Sequence, residues 1–215
     1  MKKIVVLISG NGSNLEAIAR ACQNNSIPGA IELVISNQPG VKGLERAQKY
    51  HLMTQTISHA DFPSREDFDQ ALVEQVLSIE PDLVVLAGFM RILTTTFTDA
   101  FAGKLINIHP SLLPEYPGLN THRQALDNGD LMHGVTVHFV DGGLDNGPII
   151  AQGALKIDPS QTEAKLIQRI HKIEHALFPK VIAELLKGLI CLKDEVVHFE
   201  TDSHFGKNKM EFFNV

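Results

Sequence analysis

Two cysteines in 215 residues, no tryptophan and no apolar run approaching the twenty residues of a membrane span set the first limits on this chain. Cys22 and Cys191 show no Cys-x-x-Cys spacing, so neither a disulfide framework nor a thiolate zinc site is expected. Both are expected to be reduced, buried thiols. The apolar run Ile4 to Ile8 is too short for a signal-peptide core and is followed at once by Ser-Gly-Asn-Gly, so it predicts a buried strand. Positive charge is scarce as well. Nineteen Lys and Arg against 25 Asp and Glu give a formal net charge of −6, which argues against a general nucleic-acid binder but leaves room for a local pocket holding one phosphate. With no internal repeat and no low-complexity tract, the expectation is a soluble, unexported, cytoplasmic protein built on one core.

What is present is an alternation of short β-rich runs with helical patterns over the first hundred residues, the signature of a parallel sheet with crossover helices. Strands are expected at about Lys3–Ser9, Ile31–Ser36, Met53–Ile57, Leu83–Ala87 and Leu105–Asn107. Helices or helical turns are expected at Asn14–Gln23, Gly43–Tyr50, Arg65–Ile79 and Thr95–Phe101. Phe68, Leu72, Val76 and Ile79 fall at three- and four-residue spacing and predict one apolar face. After His109 the alternation stops. A Pro- and Gly-bearing stretch leads into a helix near Thr121–Asn128, then strands at Val135–Val140 and Ile149–Ile157, then a long helix over Thr162–Lys187 with Gly188 as its stop.

The Gly-rich loop Ser9-Gly10-Asn11-Gly12-Ser13-Asn14 lies between a predicted strand and a predicted helix, where small residues let backbone N–H groups approach an anion. A phosphate fits. A dinucleotide fingerprint fits less well, because a third glycine is missing and the second strand ends in Ser36-Asn37, where an acidic residue would take ribose hydroxyls. A tight turn without a ligand is the remaining alternative. His171-Lys172-Ile173-Glu174-His175 matches the His-x-x-Glu-His order of inverted zinc peptidases, but zinc would need a third protein ligand, and no metal is expected.

The segment Asn107-Ile108-His109-Pro110, with Leu144-Asp145-Asn146-Gly147, supplies an amide, an imidazole and a carboxylate from two loops. That set suits acyl-group transfer: the amide can donate to a developing oxyanion, the imidazole can give or take a proton near neutral pH, and the carboxylate can orient the ring and favour its charged form. His109 follows a buried strand, so it falls at the strand's carboxyl end, where open α/β sheets place ligands, and Asn107 points to the same side. A capping or turn role for Asp145 is the plain alternative. The loop chemistry of Pro110 to Leu131 predicts a lid.

Four blocks carry a resemblance that spans Lys3 to about Gly188: Val5 to Asn14; Leu86-Ala-Gly-Phe-Met-Arg-Ile-Leu93; Asn107 to Pro114 continuing through Tyr116-Pro-Gly-Leu119; and Gly134 to Pro148. Together they are similar to the folate-dependent formyltransferase family, and within it to the phosphoribosylglycinamide formyltransferases. The resemblance implies an α/β fold with a mostly parallel seven-stranded twisted sheet and helices on both faces, over 1–190, followed by a tail over 191–215 that ends as an edge strand or a loose segment. It implies transfer of a formyl group from 10-formyltetrahydrofolate, as cosubstrate, to the amine of 5′-phosphoribosylglycinamide in purine biosynthesis. Gly12, Ser13 and Asn14 would hold the ribonucleotide phosphate, and His171, Lys172, Ile173 and Glu174 the glycinamide portion. Arg65, Met90, Arg91, Ile92, Leu93 and Asn107, with Asp141, Gly142, Gly143, Leu144 and Asp145, would line the folate cleft, and Asn107, His109 and Asp145 would be catalytic.

Two sister activities share such a core: hydrolysis of formyltetrahydrofolate and formylation of methionyl-tRNA. The first brings an extra N-terminal domain and the second a C-terminal nucleic-acid-binding domain, so the expectation here is the small-substrate transferase, a monomer or homodimer without nucleic-acid or membrane partners. A non-enzymatic phosphate-binding module would explain the Gly-rich loop but leave Asn107, His109 and Asp145 without a role.

Overall fold

The computed structural model describes residues 1–215. Its centre is β1 (Lys2–Ile8), whose five residues Ile4 to Ile8 are wholly buried. Both faces of this strand meet apolar layers, which is why it reads as an unbroken hydrophobic run and not as an alternation. α1 (Ser13–Gln23) returns the chain to β2 (Gly29–Ser36), and α2 (Lys42–Lys49) leads to β3 (Thr54–Thr56). On the other side of β1 lie β4 (Leu83–Leu86) and β5 (Leu105–His109), reached through α3 (Arg65–Leu77) and α4 (Thr95–Ala100). Then come α5 (Thr121–Asp127), β6 (Met132–Phe139), β7 (Ile149–Lys156) and the 24-residue α6 (Glu163–Leu186).

The sheet order is β10 (Met210–Phe212), then β7-β6-β5-β4-β1-β2-β3, antiparallel only at β5–β6 and β6–β7. β1 therefore has β2 on one side and β4 on the other, and the connections leave its neighbours in opposite directions. Such a reversal opens a crevice at the carboxyl ends of the strands. One face of the sheet carries α1 and α6 over a 35-residue cluster that includes Ile18, Ile170, Leu177 and Phe178. The opposite face carries α3 and α4 over Phe68, Leu72, Val76 and Phe97. The predicted stripe on α3 is thus the one that packs, with Ile79 just beyond the helix.

Seven strands are expected from the resemblance and eight are present. The eighth is β10 (Met210–Phe212), which pairs parallel to β7 and is too short for its pattern to stand out. The tail before it forms a separate hairpin, β8 (Ile190–Lys193) with β9 (Val196–Phe199). Polar contacts tie this tail to α6: Glu184 accepts from Ser203 Oγ at 2.5 Å and from the His204 amide at 3.0 Å, while Glu211 meets Lys180 at 3.1 Å and His204 at 2.7 Å. The thiols also depart from expectation, since Cys22 and Cys191 are unpaired but only partly buried. Burial still pushes the Cys22 thiol up to about 11, which keeps it protonated and inert at neutral pH. No helix is long and apolar enough to cross a membrane.

Candidate active site

Immediately after β1 the chain turns at Gly12, whose φ is +74° and where a Cβ would lie 2.5 Å from Gly43 Cα. Only glycine fits that turn. α1 begins at the next residue with no side-chain cap, so the amide groups of its first turn, from Ser13 on, are free to meet an anion. Arg46 of α2 steadies the loop from behind, donating to the Asn11 carbonyl at 3.0 Å and to Asn11 Oδ1 at 3.2 Å while paired with Glu16. A cleft of about 710 Å³ runs from Ser13 between α1 and α6, with Arg20, Arg46, His175 and Lys180 in its wall.

Of the four candidate residues on α6, the structure brings one to this loop. Glu174 is buried and accepts from Asn14 Nδ2 at 2.9 Å. Desolvation pushes its carboxyl up to about 7, against the opposing pull of that hydrogen bond. The Asn14 carboxamide oxygen is buried with no protein partner. His171 and Lys172 are exposed at the surface of α6. Ile173 is fully buried in the core, pressed against β7 at Gly153, so its side chain is not available to a ligand. The histidines His171 and His175 stack with ring centroids 6.1 Å apart, and no third His, Cys, Asp or Glu gathers with them into a metal-binding group.

Asn107 and His109 stand on the same side of β5, facing His138 and Thr136 of β6. Between β6 and β7 the pairing slips at His138, and the loop that follows folds back toward β5. Gly147 makes this possible, because a Cβ there would sit 1.9 Å from the Phe139 carbonyl oxygen. Asp145, itself at φ +48°, reaches His109 Nδ1 with Oδ2 at 3.3 Å and Asn107 Nδ2 with Oδ1 at 3.4 Å. The three side chains picked out from the sequence therefore converge.

Their hydrogen-bond partners assign their hydrogens. His109 Nε2 lies 2.8 Å from the Tyr116 carbonyl oxygen, which can only accept, so Nε2 carries a hydrogen and Nδ1 is the nitrogen left to face Asp145. Protonating Nδ1 turns a lone pair aimed at a carboxylate into a donor. His138 is the reverse case: Nδ1 lies 2.8 Å from the Phe139 carbonyl, leaving the Nε2 lone pair to accept from Asn107 Nδ2 at 3.2 Å. Burial lowers the His138 pKa, consistent with that neutral form. One Asn107 amide hydrogen is thus held by His138. The other spans a long 3.4 Å to Asp145 and can be surrendered to an incoming oxygen.

A second set of loops borders this trio. Met90, Arg91, Ile92 and Leu93 follow β4, with Met90 and Ile92 exposed and Leu93 buried. One face of α3 fixes this segment: Arg65 donates to the Ile92 carbonyl at 2.6 Å, Phe68 lies under Arg91 at 5.0 Å, and Asp69 accepts from the Thr94 amide at 2.5 Å. Asp141, Gly142, Gly143 and Leu144 are exposed and run past Thr95 toward Gly118. Met90, Ile92 and Leu144 make an apolar border beside a polar centre, the surface expected to receive a flat, partly apolar ligand. Ser9 links this border to the Gly-rich loop, since its hydroxyl accepts from the Met90 amide at 2.7 Å and donates to Asn37 at 2.6 Å.

Sequence reasoning missed three participants: His138, Tyr116 and Gly118, whose amide donates to Asp145 Oδ2 at 2.9 Å. A histidine in the strand next to the one that carries Asn107 and His109 is a usable signal for the first. The other two act through backbone atoms, which no residue type announces.

Residues 2–182 match the model of the formyl transferase family. The chain is similar to the phosphoribosylglycinamide formyltransferase of Escherichia coli (strain K12), with 50% identity over 191 residues, covering 89% of this chain and 90% of that one. It is also similar to the trifunctional purine biosynthetic protein adenosine-3 of Homo sapiens, with 40% identity over 88% of this chain, which corresponds to 19% of that longer protein. Among solved structures, glycinamide ribonucleotide transformylase 1 from Symbiobacterium toebii superposes with a TM-score of 0.90 at 42% identity, covering 93% of this chain and 94% of that one.

Proposed function

The chain belongs to the formyl transferase family, and from that premise we propose how its site moves the formyl group of 10-formyltetrahydrofolate onto the amine of 5′-phosphoribosylglycinamide, the formylation step of purine biosynthesis. The phosphate rests on the N-terminus of α1, at Gly12, Ser13 and Asn14, with Glu174 beside it. The folate lies along the border formed by Met90 to Leu93 and Asp141 to Asp145. Between them sit Asn107, His109 and Asp145, and their convergence within 3.4 Å is the observation that carries the assignment.

The neutral amine attacks the formyl carbon, a C–N bond forms, and the carbonyl π pair moves onto oxygen. That oxyanion is met by the Asn107 amide hydrogen that had faced Asp145 and by the hydrogen on His109 Nδ1. Asp145 orients the ring through Nδ1 and, through water, carries the proton from the attacking nitrogen to the folate nitrogen. The folate C–N bond then breaks and the carbonyl re-forms. No metal enters these steps. Donors aimed at an oxyanion in a site sheltered from water are commonly worth a hundredfold or more each in turnover.

Hydrolysis of the formyl-folate is the second reading, because the same three groups could activate water. Purified protein with both substrates, and with the amine omitted, separates the two. Formyl loss that depends on the amine supports transfer; equal loss without it supports hydrolysis.

A further inference from the structure

Tyr116 stands outside the trio, yet its carbonyl oxygen is the atom that meets His109 Nε2 at 2.8 Å. Its backbone is in the left-handed region, φ +54°, where a bulky non-glycine residue is strained and must be held by its surroundings. The holding groups are visible. The phenol donates to Asp130 Oδ2 at 2.6 Å and accepts from Asn128 Nδ2 at 2.8 Å, both just beyond the end of α5, while the ring packs on the larger core cluster. Two residues on, the Gly118 amide meets Asp145. The turn 116–118 therefore offers an acceptor to the imidazole and a donor to the carboxylate, bracketing the pair.

We propose that Tyr116 is a positioning residue: its phenol, anchored on Asp130 and Asn128, aims its own main-chain carbonyl so that His109 keeps its hydrogen on Nε2 and presents Nδ1 to the reacting centre. This rests on the role given to His109 above. Without the anchor the strained turn relaxes toward ordinary φ values, the carbonyl swings away, and the neutral ring is free to place its hydrogen on either nitrogen. Neutral imidazoles differ little between their two forms unless a partner selects one. Small displacements of catalytic groups commonly cost up to about a hundredfold in rate.

Tyr116→Phe keeps the ring and removes both hydrogen bonds; Asp130→Ala removes the stronger partner and leaves the tyrosine. Nitrogen-15 spectra of histidine-labelled protein, recorded through a pH titration, report which His109 nitrogen carries the hydrogen independently of any activity. The expected result is a pyrrole-like Nε2 in the parent, an averaged pattern in both variants, and a kcat lowered about tenfold with the KM for the ribonucleotide little changed. The double variant is expected to be no worse than either single one. An Nε2-protonated pattern that persists in both variants overturns the proposal, whatever the turnover. An averaged pattern with undiminished kcat upholds the positioning and overturns instead the part assigned to His109 in the reaction.

Discussion

Burial holds the Glu174 carboxyl at about 7 against an ordinary 4.5, so the folded protein binds more protons than the unfolded chain between those values. The stability contributed by that proton is present below about pH 4.5 and lost as pH rises through about 7. Glu174→Gln, which cannot ionise, should flatten the decline in urea midpoint between pH 5 and 8; an unaltered slope would place its origin elsewhere. At Asp145 the effect falls on rate. Asp145→Asn leaves a side chain able to accept from Gly118 but removes the charge facing His109 Nδ1, and turnover should drop about a hundredfold. Ribonucleotide affinity, measured by calorimetry, should hold, and near-normal turnover would defeat the assignment. Asn107, His109 and Asp145 were legible in the sequence because an amide, an imidazole and a carboxylate beside strand ends and Gly-Pro turns have few other joint uses. Ile173 lies in the core for a physical reason: on a helix, the residue next to Glu174 points about 100° away from it. Tyr116 and Gly118 left no signature, since every residue type has a carbonyl and nearly every one an amide.

A histidine pair ties α5, within the segment from Pro110 to Leu131, to the sheet. His122 Nδ1 lies 3.0 Å from His133 Nε2 of β6, and burial lowers both to about 4, with repulsion from His133 adding to the fall at His122. A pair sharing one hydrogen must lose that contact when both rings are charged. The sign follows from the lowered values: this stability is present above the ordinary histidine range near 6.5 and lost as pH falls through about 4. In acid, amide exchange of Thr121–Asp127 should quicken before that of the central sheet, and less so in His122→Gln; uniform quickening would argue against a local fastening. At this scale most of the fold was readable. α3 and α6 present long apolar stripes, and β1, β4 and β5 are short buried runs. α6 even continues through Pro179, because packing along the rest of its length outweighs one lost hydrogen bond. β10 was unreadable for the opposite reason, as three residues with only one face covered carry almost no pattern.

For the molecule as a whole, the tail completes the sheet. β10 covers the outer side of β7, which would otherwise present unpaired backbone groups to other chains. Removing residues 209–215 should lower the thermal midpoint by several degrees and raise light scattering at high protein concentration, whereas the Asn107–His109–Asp145 centre, built on β5 and the loop after β6, should retain its turnover per folded molecule. Unchanged scattering would mean that β7 is shielded by other means. The crevice between β2 and β4 has a further consequence through Ser9. That one hydroxyl borders the Gly-rich loop proposed to hold the ribonucleotide and also braces the Met90 amide on the proposed folate side. Any preference of one tenant for a particular setting of this hinge-pin must be repaid in kind: if the nucleotide tightens the pteridine's grip by some factor, the pteridine tightens the nucleotide's by the identical factor.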